Sequence, residues 1–298
     1  MNAILAEDLL TAVLDDADEP KPDNMIHSTD GARAYGYRAA LVGGATVYGW
    51  AVRTIVRALG PGWLTHGWAQ VTFRKPVYPA DSLRAHVLAS GELALYRDSS
   101  GDGQRNTPEP YGSEPYTSEP YAAEIGAPEI CIDGQVGLGD APWLADLRYP
   151  ELLLPVERAS VVPRLTPDNV PRGQPLIARR VPLSRQEAVR FARDKERESD
   201  LQFVGDSPLA HPAWLASQPI YLLHHNFEYG PAIHVQSHIQ HLAPALVDTA
   251  YLVAGSCVDS YERKGHFYMV NDCLLRDGAG TDVARLRHTV IYQVARRG

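Results

Sequence analysis

The chain has 298 residues, 45% of them hydrophobic and 21% charged, with a formal net charge of −8 at pH 7. This is enough apolar material for one large core or two ordinary ones, and an acidic chain without a contiguous basic stretch offers no nucleic-acid footprint. The three cysteines, Cys131, Cys257 and Cys273, have no ligand-like spacing, and so sparse and odd a count argues against a disulfide scaffold and for a reducing compartment.

The opening MNAILAEDLLTAVLDDADE carries acids early and no basic n-region, so it does not read as a secretory leader. No stretch reaches the roughly 18 apolar residues that span a bilayer. A cytoplasmic protein without a membrane partner is expected. Residues 3–14 read as a short amphipathic helix, ended by Asp15-Asp16 and then Pro20 and Pro22. Residues 23–37 hold Asp23, Asn24 and His27 within five positions, followed by Tyr35-Gly36-Tyr37. Residues 41–59 form the longest apolar helical stretch of the first half. Gly43, Gly44 and Gly49 lie within it, each costing about 1 kcal/mol in a helix interior, so something must approach this backbone closely. Gly60-Pro61-Gly62 stops the helix.

Dense apolar and aromatic residues over 63–79 and then 82–90 read as strands. Residues 98–124 interrupt them with the repeat GSEPY, TSEPY, a composition that cannot form a core and reads as a surface excursion. Strand signals resume at 129–138, and the proline-rich stretch 155–176 reads as a linker. The second half opens with a strand at 176–184 and a helix starting at a capping box, Ser184 with Glu187. A more apolar helix covers about 212–226, and four long strands follow, at 233–244, 250–262, 265–278 and 282–295.

A shift of 168 residues brings two regions into line without a gap. Leu41 meets Leu209, Gly62 meets Gly230, His66 meets His234, and Pro76 meets Pro244. The repeated unit is helix, glycine stop, histidine-bearing strand, proline. It predicts a duplicated α+β unit whose halves pack as a pseudo-dimer. The expected divisions are 1–160, carrying the excursion, and 161–298.

These motifs resemble those of the MaoC-like acyl-CoA dehydratase/hydratase superfamily. Asn24-Met25-Ile26-His27 is similar to the Asn-Pro-hydrophobic-His part of its signature, and Val42-Gly43-Gly44 stands where its central helix begins with His-Gly. Phe73-Arg74-Lys75-Pro76-Val77 and Pro79-Ala80-Asp81 resemble its strand and turn. Pro22 occupies the place of the family's catalytic Asp, with Asp23 one residue late. The resemblance implies an α+β double hotdog, two antiparallel sheets each wrapped around a long central helix.

The activity it implies is reversible hydration of a 2-enoyl thioester of CoA or an acyl carrier protein, with no metal or other cofactor and with room for a homodimer of double-hotdog chains. His27 is the candidate base, Asp23 and Asn24 position water or the hydroxyl, and Gly43, Gly44 and Tyr37 border the thioester oxygen. A hotdog thioesterase and a non-catalytic acyl-binding or partner subunit are the rival readings.

The second half offers Asp206 and His211 at the signature spacing. The internal repeat instead pairs His211 with Gly43, at a helix start, and is favoured. Arg74 and Lys75 could meet a CoA phosphate. His234, His238 and His241 lie in one strand, where positions four apart share a face and the third does not, so they are not expected to form a zinc site.

Overall fold

The structure is a computed structural model that describes residues 3–15, 17, 24–97, 128–151 and 154–295. The chain enters on β1 (Ile4–Thr11), then a 3-10 turn at Met25–His27 and the short α1 (Thr29–Ala34). The long α2 (Gly44–Leu59) and one turn of helix, α3 (Trp63–His66), lead into β2 (Gly67–Phe73), β3 (Ser82–Leu88), β4 (Glu92–Arg97) and β5 (Glu129–Leu138). The second half repeats this plan. It runs β6 (Arg179–Leu183), α4 (Arg185–Arg190) continuing into a π turn, α5 (Leu201–Val204), and α6 (Pro212–Asn226). Then come β7 (Ile233–His241), β8 (Thr249–Arg263), β9 (His266–Arg276) and β10 (Asp282–Gln293).

The strands order as β1-β3-β4-β5-β2-β7-β10-β9-β8-β6. Each half therefore has the same internal order, and the halves meet at β2 and β7. At that seam Gln70 pairs with His238, its own counterpart under the 168-residue shift. Other backbone bonds repeat at the same offset. Val42 N–H donates to Val77 C=O, and Ala210 N–H to Ala245 C=O, both at 2.8 Å. The buried side chain of Gln240 stitches the seam further, donating to Gly139 C=O at 3.1 Å and accepting from Ala141 N–H at 2.8 Å.

Three expectations change. The two half-sheets are one continuous ten-stranded antiparallel sheet, not two separate sheets each closed on its own helix. Residues 4–11 form an edge strand instead of a helix: Ala6, Asp8 and Leu10 alternate towards the core, and Asp8 on that face accepts from Thr54 Oγ1 of α2 at 2.9 Å and pairs with Arg57. The strand expected from residue 63 begins only at Gly67, after α3. The Ser184–Glu187 capping box is present. The excursion at 98–124 lies outside the described residues.

One apolar core spans α2, α6 and both half-sheets, with Trp63, Tyr48, Ile55, Leu83, Leu215 and Tyr251 all nearly inaccessible. α2 and α6 pack side by side at Gly49, where an added Cβ would come within 2.7 Å of the Ala213 Cβ and overlap the Glu196 carboxyl. Among the described residues no helix is long and apolar enough to cross a membrane.

Candidate active site

A cleft of about 1240 Å3 opens where the loop before α2 meets the seam. Asn24, His27, Tyr37, Gly43 and Gly44 all line it, so five of the residues singled out in the first half share one cavity. Asp23 lies outside the described residues. His27 ends the 3-10 turn, and its Nδ1 is 2.8 Å from Leu41 C=O. A carbonyl only accepts, so in the neutral ring the proton is on Nδ1 and the lone pair is on Nε2. Asn24 Nδ2 lies 3.3 Å from that Nε2, a long contact, and donates to Ala232 C=O at 2.9 Å; Ala232 N–H donates back to Asn24 Oδ1 at 3.3 Å. Asn24 thus ties the His27 loop to the strand entering from the other half.

Gly43 is the N-cap of α2, and Gly44 and Ala45 are its first residues, whose amides have no carbonyl within the helix to bond. The amides and the positive end of the helix dipole favour an anionic oxygen there. Each glycine faces a histidine. A Cβ on Gly43 would lie 3.7 Å from His27 Cε1, and one on Gly44 would lie 2.8 Å from His234 Nδ1. Tyr37 is buried with Ile26, Leu41 and Tyr78 in a small apolar cluster under the loop. The cleft walls carry more cations than anions: Arg74, Lys75, Arg158, Arg179, Arg180 and Lys195 against Asp15, Glu157 and Asp194. Arg74 is held by Asp133 through two bonds of 2.7 and 2.9 Å, and Lys75 lies 4.0 Å from Glu129.

No family model and no curated protein matches the sequence. Solved structures do match by fold. A MaoC domain protein from Chloroflexus aurantiacus superimposes with a TM-score of 0.58 at 12% identity, over 100% of this chain and 96% of that one. A conserved hypothetical protein of Mycobacterium tuberculosis, described as a double hotdog, gives 0.56 at 10% identity, over 97% and 96%. The chain has the double-hotdog fold. A structure described as a MaoC-like dehydratase also aligns, with a TM-score of 0.51 at 12% identity over 89% and 88%.

The two helix starts of this double hotdog differ in what they leave open. In the second half His211 is the N-cap of α6, with backbone angles matching those of Gly43. Its Nδ1 accepts from Ala213 N–H at 3.2 Å, and Pro212 supplies no amide at the first helical position. His211 is buried against Phe203, and burial pushes its pKa down to about 3. Asp206 is exposed, and no hydrogen bond joins it to His211 among the described residues. The Asp206–His211 pairing read from signature spacing is therefore not assembled, and His211 holds the helix-start place that the repeat assigns it.

Sequence reasoning missed two histidines at the cleft, His234 and His288. In a regular strand His234 would share a face with His238. The β7–β10 register slips between Thr289 and Val290, so Val235 is an extra, bulged residue. The bulge turns His234 towards Ser237, His288 and the start of α2, while His238 packs on Trp143 and His241 on Trp63. No sequence signal marks such a bulge.

Proposed function

We propose that this double hotdog hydrates and dehydrates acyl thioesters, adding water across a 2-enoyl thioester to give the 3-hydroxyacyl product. The reading is carried by His27: its tautomer is fixed by the Leu41 carbonyl so that Nε2 is basic, and it stands at a cleft whose other wall is the open start of α2. In this reading Nε2 takes a proton from water as the oxygen attacks C3, and the Asn24 amide, at a long 3.3 Å, shares that nitrogen with the water. Negative charge developing on the thioester oxygen is received by the amides at Gly43 and Gly44, and as the enolate collapses C2 takes back the proton held by the His27 imidazolium, which restores the neutral ring. The polyanionic carrier lies along the cationic wall of Arg158, Arg179 and Arg180. The MaoC-like dehydratase of the same fold supports this direction.

The test is direct. Purified protein is mixed with a panel of 2-enoyl-CoA thioesters, and loss of the conjugated enoyl absorbance is followed. Hydration is expected, with His27→Ala slowing it at least about 100-fold. Release of free thiol without hydration would make the protein a thioesterase. A folded protein that does neither would overturn the reading.

A further inference from the structure

His234 and His288 are not used by the mechanism above, yet both line its cleft. Their arrangement is a built one. The bulge at Val235 aims His234 at the first turn of α2, where only a glycine fits: any Cβ at residue 44 would lie 2.8 to 3.0 Å from the imidazole. Phe73 packs on the ring at a centroid distance of 4.3 Å. Nε2 of His234 is 2.7 Å from Ser237 Oγ and 3.1 Å from His288 Nδ1. Nδ1, on the Gly44 side, is shielded from solvent and has no hydrogen-bond partner in the protein, and neither has Nε2 of the buried His288. Nδ1 of His234, buried without a partner at the helix start, calls for an oxygen that a small shift of the ring towards the cleft would let it meet.

Burial, and then the neighbouring His288, push the pKa of His234 well below its ordinary value, and burial pushes that of His288 down to about 3, so both rings are neutral near pH 7. These contacts allow a tautomer in which Ser237 Oγ–H and His288 Nδ1–H both donate to Nε2 of His234, and in it the proton of His234 sits on Nδ1, facing Gly44.

We propose that His234 is a third oxyanion donor of the site, its neutral Nδ1–H binding the thioester carbonyl oxygen beside the Gly43 and Gly44 amides, with His288 and Ser237 as positioning residues that hold its tautomer. The proposal rests on the thioester reading of the cleft. A neutral imidazole suits such a role because it polarises a carbonyl without giving up its proton, and fixed donors in a shielded site act without reorganisation. The division of labour is between halves. His27 of the first half handles the proton of water, and His234 of the second half handles the charge on oxygen. Asn24, bonded both to His27 and to residue 232, keeps the two in register.

The experiment uses the full chain and an aryl-substituted 2-enoyl-CoA, whose absorbance moves to longer wavelength when its carbonyl is polarised. The wild type and His27→Ala are expected to show the same red shift on binding. His234→Phe should lose the shift and lower kcat about 100-fold with KM changed far less, the cost of removing one oxyanion donor. His234→Gln, which keeps a side-chain N–H, should retain part of both, and serves if the Phe variant does not fold. An unchanged red shift in His234→Phe and His234→Gln overturns the proposal whether or not hydration is seen. A His234-dependent shift in a wild type that does not hydrate upholds it while removing the hydratase reading. A wild type that neither hydrates enoyl-CoA nor shifts its absorbance overturns both.

Discussion

At the start of α2 two consecutive glycines meet two histidines, and the contacts differ in kind. Gly43 has extended backbone angles open to any residue, and an added methyl would rest 3.7 Å from His27 Cε1, an ordinary van der Waals distance. Gly44 begins the helix, and an added methyl would meet His234 Nδ1 at 2.8 Å and Cβ at 2.9 Å, so the ring or the helix must move. Helical angles suit alanine, so the penalty at residue 44 is one of placement at the site. Gly43→Ala is expected to keep activity within a few-fold, whereas Gly44→Ala should lower kcat by about 10- to 100-fold, the scale of a misplacement near 1 Å. Steady-state rates on an enoyl thioester, for variants of matched melting temperature, check this. Equal effects of the two substitutions would refute it.

Among elements, the contact of α2 with α6 explains the third glycine. Gly49 lets the helices close on each other and leaves room for the Glu196 carboxyl, which follows the π turn and is 5% exposed beside Thr46. Burial raises its pKa well above the ordinary value. A raised carboxyl binds its proton more tightly folded than unfolded, so its contribution is present below the unfolded pKa and is lost as pH rises towards the folded one. Glu196→Gln is therefore expected to stabilise the protein above the usual carboxylate range and to flatten its decline with rising pH, by at most about 1.4 kcal/mol per pH unit, one proton's worth. Urea unfolding at pH 6, 7 and 8 measures this, and parallel curves for the two proteins would refute it. The elements also show what the sequence makes legible. Helices α2 and α6 are long and apolar between glycine, proline or histidine punctuation, and β7 to β10 are long enough to read. The strand β1 was hidden because Asp8, on its inward face, is satisfied by Thr54 and Arg57 of α2, partners that exist only once the chain is folded. The same holds for His234: a single extra residue in β7 decides its face, and hydrogen bonding between strands, not local pattern, sets the bulge.

For the whole molecule, the seam governs how the double hotdog responds to acid. The equivalent positions Gln70 and His238 pair across it, so the two half-sheets continue into one another and share one core. Several histidines are placed where only the neutral form is tolerated. Burial pushes His238 and His241 of the seam strand down to about 4, and His211 at the start of α6 and His288 beside the cleft down to about 3. His241 is 0% exposed with both ring nitrogens unpaired, held edge-on against Trp63. In each case the unfolded chain binds a proton near pH 6.5 that the folded chain refuses until much lower pH. Their stability is thus fully present above the unfolded pKa and is lost as pH falls from about 6.5 towards the folded values. Because β2 and β7 join the halves, loosening at the seam exposes both helix faces, and unfolding is expected as one transition whose urea midpoint drops steeply between about pH 6.5 and 4.5. His241→Leu removes one of these protons and fills the same apolar niche, so its unfolding free energy should fall less steeply, by up to about 1.4 kcal/mol per pH unit. Urea titrations of both proteins at pH 7, 6 and 5 decide the matter. If the variant tracks the wild type, His241 is not the proton acceptor that acid unfolding requires, and if the halves melt in two steps, the seam does not couple them.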